Sequence, residues 1–228
     1  MADLVGGIKQ VVKHQLVSLW GTELDESVID FDNYCRRAFS LTENALKISN
    51  NKYYKSNGFS IFNSIHNVLF LYYLSHIVGC EADHYKEQLD LADQIYYLNK
   101  MLNGCDFYWG IELPTCFLCE HPVGTVLGRA MYGGHVCVYQ GCTIGGNRKN
   151  GAIDYPVLGD YVLLYANASV IGKCNIGNNV IISANTTVLN KDVPDDTIVY
   201  EKNGNLFFKE LDDARRRELF GAFWNDLS

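Results

Sequence analysis

Between Leu158 and Val188 an aliphatic residue recurs at every sixth position: Leu158, Leu164, Val170, Ile176, Ile182 and Val188. Four residues after each stand Val162, Ala168, Cys174, Val180, Thr186 and Asp192, nearly all small or β-branched. A period of six fits neither the helix repeat of 3.6 nor the two-residue alternation of an isolated strand. It predicts a parallel β-helix in which three short strands make one triangular coil, with the aliphatic residue inside and the small one where the chain turns. Upstream, Val126, Tyr132, Val138 and Ile144 also fall six apart, and Tyr132 marks that coil as irregular. From Ile144 to Leu158 the chain has one hexad plus eight extra residues. The surplus lies in Gly145–Pro156, rich in Gly and polar side chains. A solenoid wall admits insertions only outward, so this stretch predicts a protruding binding loop.

Residues 1 to about 105 follow a helical period instead. Ile8, Val11, Val12, Leu16 and Leu19 share one helix face, as do Ile61, Phe62, Ile65, Val68 and Leu69. Thr42 is expected to open a short helix, Ser56-Asn57-Gly58 to turn, Gly79 to close the apolar helix, and Ala82 or Asp83 to open one ending at Gly104. Asn203-Gly204 predicts a hairpin turn after the last coils, and Glu210 to Trp224 a short amphipathic helix. Arg215-Arg216-Arg217 in that helix forms a solvated face or covers the open end of the solenoid. The fold class is α+β: a helical region over residues 1–108, a β-helix over 109–209 and a C-terminal helix over 210–228.

A hydrophobic content of 48% and a charged content of 20% in 228 residues describe a globular chain with a sizeable core. The formal charge of −7 argues against nucleic acid or an anionic membrane surface as partner. The apolar stretch Phe59 to Val78 contains Ser, Asn and His and predicts a buried helix, not a membrane span. No signal peptide is expected from Met-Ala-Asp-Leu-Val-Gly-Gly, so the eight cysteines are expected to be reduced thiols in a cytoplasm. Cys116-x-x-Cys119 lacks a second such pair and is not expected to bind metal.

Of six histidines, His14, His66, His76 and His84 fall on predicted helices as packed or solvated side chains, and His135 lies in the irregular coil. His121 differs: it stands at the start of the solenoid in Cys119-Glu120-His121-Pro122-Val123-Gly124. Acyl transfer from a thioester to a hydroxyl needs a base of near-neutral pKa, a carboxylate to fix its tautomer, and donors for the tetrahedral oxyanion. His121 with Glu112 or Glu120, and backbone amides around Gly145-Gly146, are candidates for these parts.

The succession Trp109-Gly-Ile-Glu-Leu-Pro114, Glu120-His121-Pro-Val-Gly-Thr-Val-Leu-Gly128, Ile144-Gly-Gly146, hexads and Val193-Pro194 resembles serine acetyltransferases. It resembles still more the serine-acetyltransferase-like enzymes associated with bacterial surface polysaccharides. The likeness spans roughly residues 90–200. It implies a left-handed β-helix, acetyl-CoA as donor without any metal, and a homotrimer or dimer of trimers with sites between subunits. By motif it implies His121 as catalytic base, Glu112 and Glu120 as its carboxylates, and Gly145, Gly146, Ala166 and Ala184 as coenzyme contacts.

The chain departs from that family in four places, one being the Gly-rich turns, replaced by Asn, Tyr and Ser. The segment between Glu112 and His121 is about one hexad shorter. Ile181 replaces a lysine often found near the second turn. In the loop, the family's Asp-Arg-His-Pro becomes Ile153-Asp154-Tyr155-Pro156, so a carboxylate replaces the cation that holds serine's carboxylate. Arg148 and Lys149 stand nearby as substitutes. With Arg148, Asp154 and Tyr155 as acceptor contacts, the expected function is O-acetylation of a small hydroxyl acceptor, a sugar or nucleotide sugar. Authentic serine acetylation and a non-catalytic trimeric scaffold are the competing readings.

Overall fold

The computed structural model describes residues 2–55, 58–83, 85–149 and 151–227. Its helical half consists of α1 (Ala2–Trp20), α2 (Phe31–Ile48), α3 (Lys52–Lys55), α4 (Ser64–Cys80) and α5 (Lys86–Asn103). α4 is apolar on every side and buried along most of its length, because α2 and α5 pack against it. Asp30 and Asn63 cap α2 and α4 by accepting backbone N–H bonds, and Gly104 closes α5 at φ +62. Thr42 does not open a helix. It lies inside α2, where its buried hydroxyl donates to Ala38 O at 2.8 Å. Gly79 lies within α4, which runs on to Cys80, and its missing side chain makes room for the Trp109 indole. α5 opens at Lys86, after Ala82 and Asp83. On α1, Ile8, Val12 and Leu16 are buried, whereas Val11 and Leu19 face outward. Ser56, Asn57 and His84 lie outside the described residues. Among the described residues no helix is long and apolar enough to cross a membrane.

The strands wind into a left-handed parallel solenoid with three faces. A five-stranded face stacks Asp106–Phe107, Val126–Leu127, Thr143–Gly145, Ser169–Ile171 and Thr187–Leu189. A six-stranded face stacks Cys116–Cys119, His135–Val138, Val162–Leu164, Val180–Ile182 and Thr197–Lys202, with Asn205–Glu210 added antiparallel. The narrow face holds Val157–Leu158 and Asn175–Ile176, extended by single bridges from Met131 and Val193. The first paired strand thus precedes residue 109, and the terminal hairpin ends at Glu210. Asn203 and Gly204 turn that hairpin at φ +53 and +74, as the Asn-Gly signal predicts.

All six aliphatic hexad positions from Leu158 to Val188 are buried, at 3% exposure or less. The upstream frame does not hold. Leu127, at 1% exposure, pairs with Ile144, while Val126 is 40% exposed. The coil from Leu127 to Ile144 is one residue short of three hexads, and a one-residue slip exchanges the inner and outer sides of a strand. Tyr132 sits in this short coil and donates its hydroxyl to Gly128 O at 2.7 Å.

The six-stranded face is covered on its outer side as well. Leu118, Cys137, Leu163 and Ile181 alternate with the interior residues, yet none exceeds 2% exposure. α2 lies over its first strand, and the segment after α6 (Asp213–Gly221) folds back over its middle. Trp224 there is fully buried, donates its indole N–H to Cys116 O at 3.3 Å and bridges to Ser49. A lysine at position 181 would bury its ammonium under this cover, which accounts for Ile181. Arg216 ties α6 to Asp196 at 3.0 Å, so part of the basic run serves as an anchor. The eight thiols are free, and the Cys116 and Cys119 side chains point to opposite sides of one strand.

Candidate active site

Where the chain passes from the six-stranded to the five-stranded face, successive coils turn through Glu120–Thr125, Tyr139–Cys142, Tyr165–Ala168 and Ser183–Thr186. The last three turns use four residues and stack closely. Asn167 N–H donates to Gln140 O at 2.9 Å, Asn185 N–H to Ala166 O at 2.9 Å, and the Asn167 amide to Asn185 Oδ1 at 3.1 Å. Gly141, Asn167 and Asn185 hold positive φ, the conformation these turns demand. The first turn has two residues more. The extra length lifts His121 outward at φ +49, with its ring exposed and without a hydrogen-bond partner among the described residues. His121, Ala166 and Ala184 therefore share one corner of the solenoid, termed here the base corner.

Glu120 is half-buried and held from the helical half. Asn51 Nδ2 donates to its Oε1 at 3.1 Å. The Asn51 Oδ1 accepts from Tyr53 N–H at the start of α3, so the amide's other end is free to face the carboxylate. The Tyr54 hydroxyl reaches the same group, and burial followed by that carboxylate pushes its phenol well above the ordinary range. These two residues stand 69 and 66 positions before Glu120 and carried no signal in the sequence.

Glu112 lies elsewhere. The Tyr72 hydroxyl donates to Ile111 O at 2.8 Å and accepts from Leu113 N–H at 3.0 Å, clamping the segment to α4. The Glu112 carboxylate faces the end of that helix, where burial and then this charge raise the Cys80 thiol. The strand Cys116–Cys119, about 13 Å of extended chain, separates Glu112 from His121. Glu120 is the carboxylate next to His121 in the chain.

The Gly145–Pro156 insertion leaves at the opposite edge of the five-stranded face, the loop corner, so it does not stand beside His121 of its own chain. It is a hairpin: Asn147–Lys149 pairs antiparallel with Ala152–Asp154. At its root a side chain on Gly146 would come within 2.7 Å of Ile153 and the Tyr155 ring. Gly145 O accepts from Gly172 N–H at 2.9 Å in the next coil. Arg148 is exposed, and the Lys149 side chain lies outside the described residues. Beneath the hairpin, Asp154, Lys173, Asn190 and Asp192 line a cleft of about 300 Å³.

The other histidines have structural surroundings. The His66 ring is buried between Ser60 N–H and Tyr54 O, and burial lowers its pKa. His76 Nδ1 lies 2.7 Å from Trp109 O, and His14 is exposed on α1. His135 stacks on Tyr161 beneath Trp224, with Asp226 Oδ2 at 2.9 Å from Nε2 but outside hydrogen-bond geometry. Among the described residues no cluster of His, Cys, Asp and Glu is arranged to hold a metal ion.

Residues 155–190 match the family described as bacterial transferase hexapeptide (six repeats). A serine acetyltransferase of Synechococcus elongatus is 32% identical over 127 residues, 55% of this chain and 52% of that one. One of Staphylococcus xylosus is 33% identical over 106 residues, 46% and 49% of the two chains. The chain thus spans about half the length of the curated relatives it matches. The fold resembles that of Neisseria gonorrhoeae serine acetyltransferase, with a TM-score of 0.63 and 18% identity over 95% of this chain and 93% of that one. It also resembles the Brucella abortus serine acetyltransferase solved with coenzyme A, at a TM-score of 0.61 and 15% identity over 78% and 74%. In repeats, fold and relatives the chain is similar to serine acetyltransferase-like hexapeptide-repeat proteins.

Proposed function

We propose that this protein transfers an acetyl group from acetyl-CoA to the hydroxyl of serine, with His121 as general base. The observation that carries the reading is the base corner, where the one exposed histidine without a partner among the described residues of the solenoid stands in line with the turns at Ala166 and Ala184. Those turns expose backbone and small side chains along a straight edge, room for an extended coenzyme whose thioester ends at His121. His121 takes the acceptor's hydroxyl proton, the oxygen attacks the thioester carbonyl, and His121 returns a proton to the departing sulfur. Glu120, steadied by Asn51 and Tyr54, is the carboxylate that precedes it in the chain. These proton transfers require no metal. The acceptor hairpin and the Gly145-Gly146 amides, which serve the oxyanion, come from a neighbouring copy. A closed trimer brings each base corner against another chain's loop corner, and the helical halves can join two trimers.

Serine is favoured because the curated relatives matched across this region are named serine acetyltransferases. The sugar acceptor expected from Asp154 and Tyr155 has no such support. It remains the second reading on the chemistry of those two residues, which suit neutral hydroxyls. Thiol release from acetyl-CoA, measured with serine, sugars and nucleotide sugars, separates the two. Turnover of serine over the others supports the proposal, turnover of sugars alone replaces the acceptor, and none with any acceptor favours the scaffold reading.

A further inference from the structure

We infer that Lys173 and Asp154 form a two-charge subsite that grips the carboxylate and ammonium of an amino-acid acceptor, an inference that rests on the serine reading above. Asp154 stands where the family's loop cation is expected, a reversal that by itself repels a carboxylate. The cleft under the hairpin supplies the opposite charge from a different coil: Lys173 and Asp154 line the same 300 Å³ space. Among the described residues neither side chain has a hydrogen-bond or ion-pair partner, although they are opposite charges on one small cleft. The other acidic lining residue, Asp192, is already engaged, its Oδ1 accepting from Asn175 N–H at 2.8 Å and Asn175 Nδ2 at 2.9 Å.

The frame around the two free charges is fixed. Lys173 N–H donates to Asn190 Oδ1 at 3.0 Å, and Gly172 before it turns at φ +80 where a side chain would strike Asn147. Asn147 in turn pairs with Asp154 across the hairpin. A cation and an anion on one cleft suit a zwitterion, whose ammonium and carboxylate groups are both bonded to one carbon. A sugar hydroxyl would leave at least the ammonium without a partner. The cleft's volume accommodates an acceptor the size of serine.

The test uses the full-length protein and three acceptors: serine, ethanolamine, which lacks the carboxylate, and 3-hydroxypropionate, which lacks the ammonium. Lys173→Gln should lower kcat/KM for serine and 3-hydroxypropionate about 10- to 100-fold, mostly through KM, and leave ethanolamine within about twofold. Lys173→Arg should restore most of the loss. Asp154→Asn should show the converse pattern, with serine and ethanolamine affected and 3-hydroxypropionate spared. Equal effects of either variant on all three acceptors, or none on serine, would overturn the subsite while leaving serine acetylation in place. A wild type that acetylates sugars but not serine would instead overturn the reading beneath it, and the subsite with it.

Discussion

The base corner and the loop corner arise from the same hexad repeat, yet they spend it differently. At the base corner the turns are four residues long, stacked backbone to backbone, and the only excursion is the two-residue enlargement that exposes His121. At the loop corner the repeat is interrupted once by a whole hairpin, and the following turns at Gly172 and Asn190 close up beneath it. One edge of the five-stranded face thus carries the exposed His121 and a straight rail of stacked turns, and the other carries charged side chains around a cleft. On the proposed mechanism a single chain would then carry two half-sites facing away from each other.

Removing the base is the severest way to break this division. His121→Ala should reduce acetyl transfer by on the order of 10²–10⁴, with acetyl-CoA affinity by titration calorimetry nearly unchanged. Retained turnover would transfer the role to another group, with His135 the first to test. Gly141→Ala strikes the rail itself, because its φ of +68 and the Asn167 amide leave no room for a side chain. A stability loss of about 1–3 kcal/mol should appear as a lower denaturant midpoint with activity per folded molecule largely kept.

Asn51→Leu removes the donor to Glu120 and should cost about tenfold in kcat, whereas Asn51→Gln should recover part of it. An effect confined to thermal stability would make Asn51 a purely structural link between the two halves. Gly146→Ala should be mildest. Its added methyl meets the side chains of Ile153 and Tyr155 instead of backbone, so the hairpin shifts and the acceptor KM rises several-fold with little change in stability. If Gly146→Ala destabilised the fold as strongly as Gly141→Ala, the contrast between a rigid rail and an adjustable loop would be lost.

The hexads from Leu158 to Val188 were legible because every coil there has the same length, so a single frame locates each buried residue. Upstream, one missing residue moved the interior from Val126 to Leu127, and a fixed frame has no means of registering such a slip. The insertion was legible as an interruption, but its hairpin pairing was not, since Asn147–Lys149 and Ala152–Asp154 show no alternation. His121 stood out by its local motif. Its relation to Glu112 did not, because sequence proximity conceals which strand end each residue occupies. The Asn51 and Tyr54 contacts to Glu120 depend on how the helical half docks, a long-range result that no local pattern encodes.

Complementation between two inactive variants reveals whether the site is divided between copies. His121→Ala and a variant with the Asn147–Asp154 hairpin replaced by Gly-Gly should each be inactive alone. Co-refolded in equal amounts, they should recover about a quarter of wild-type turnover, since an interface pairing an intact base with an intact hairpin forms with that frequency in randomly mixed trimers. Mixed oligomers that form, by mass spectrometry, yet remain inactive would contradict the shared site.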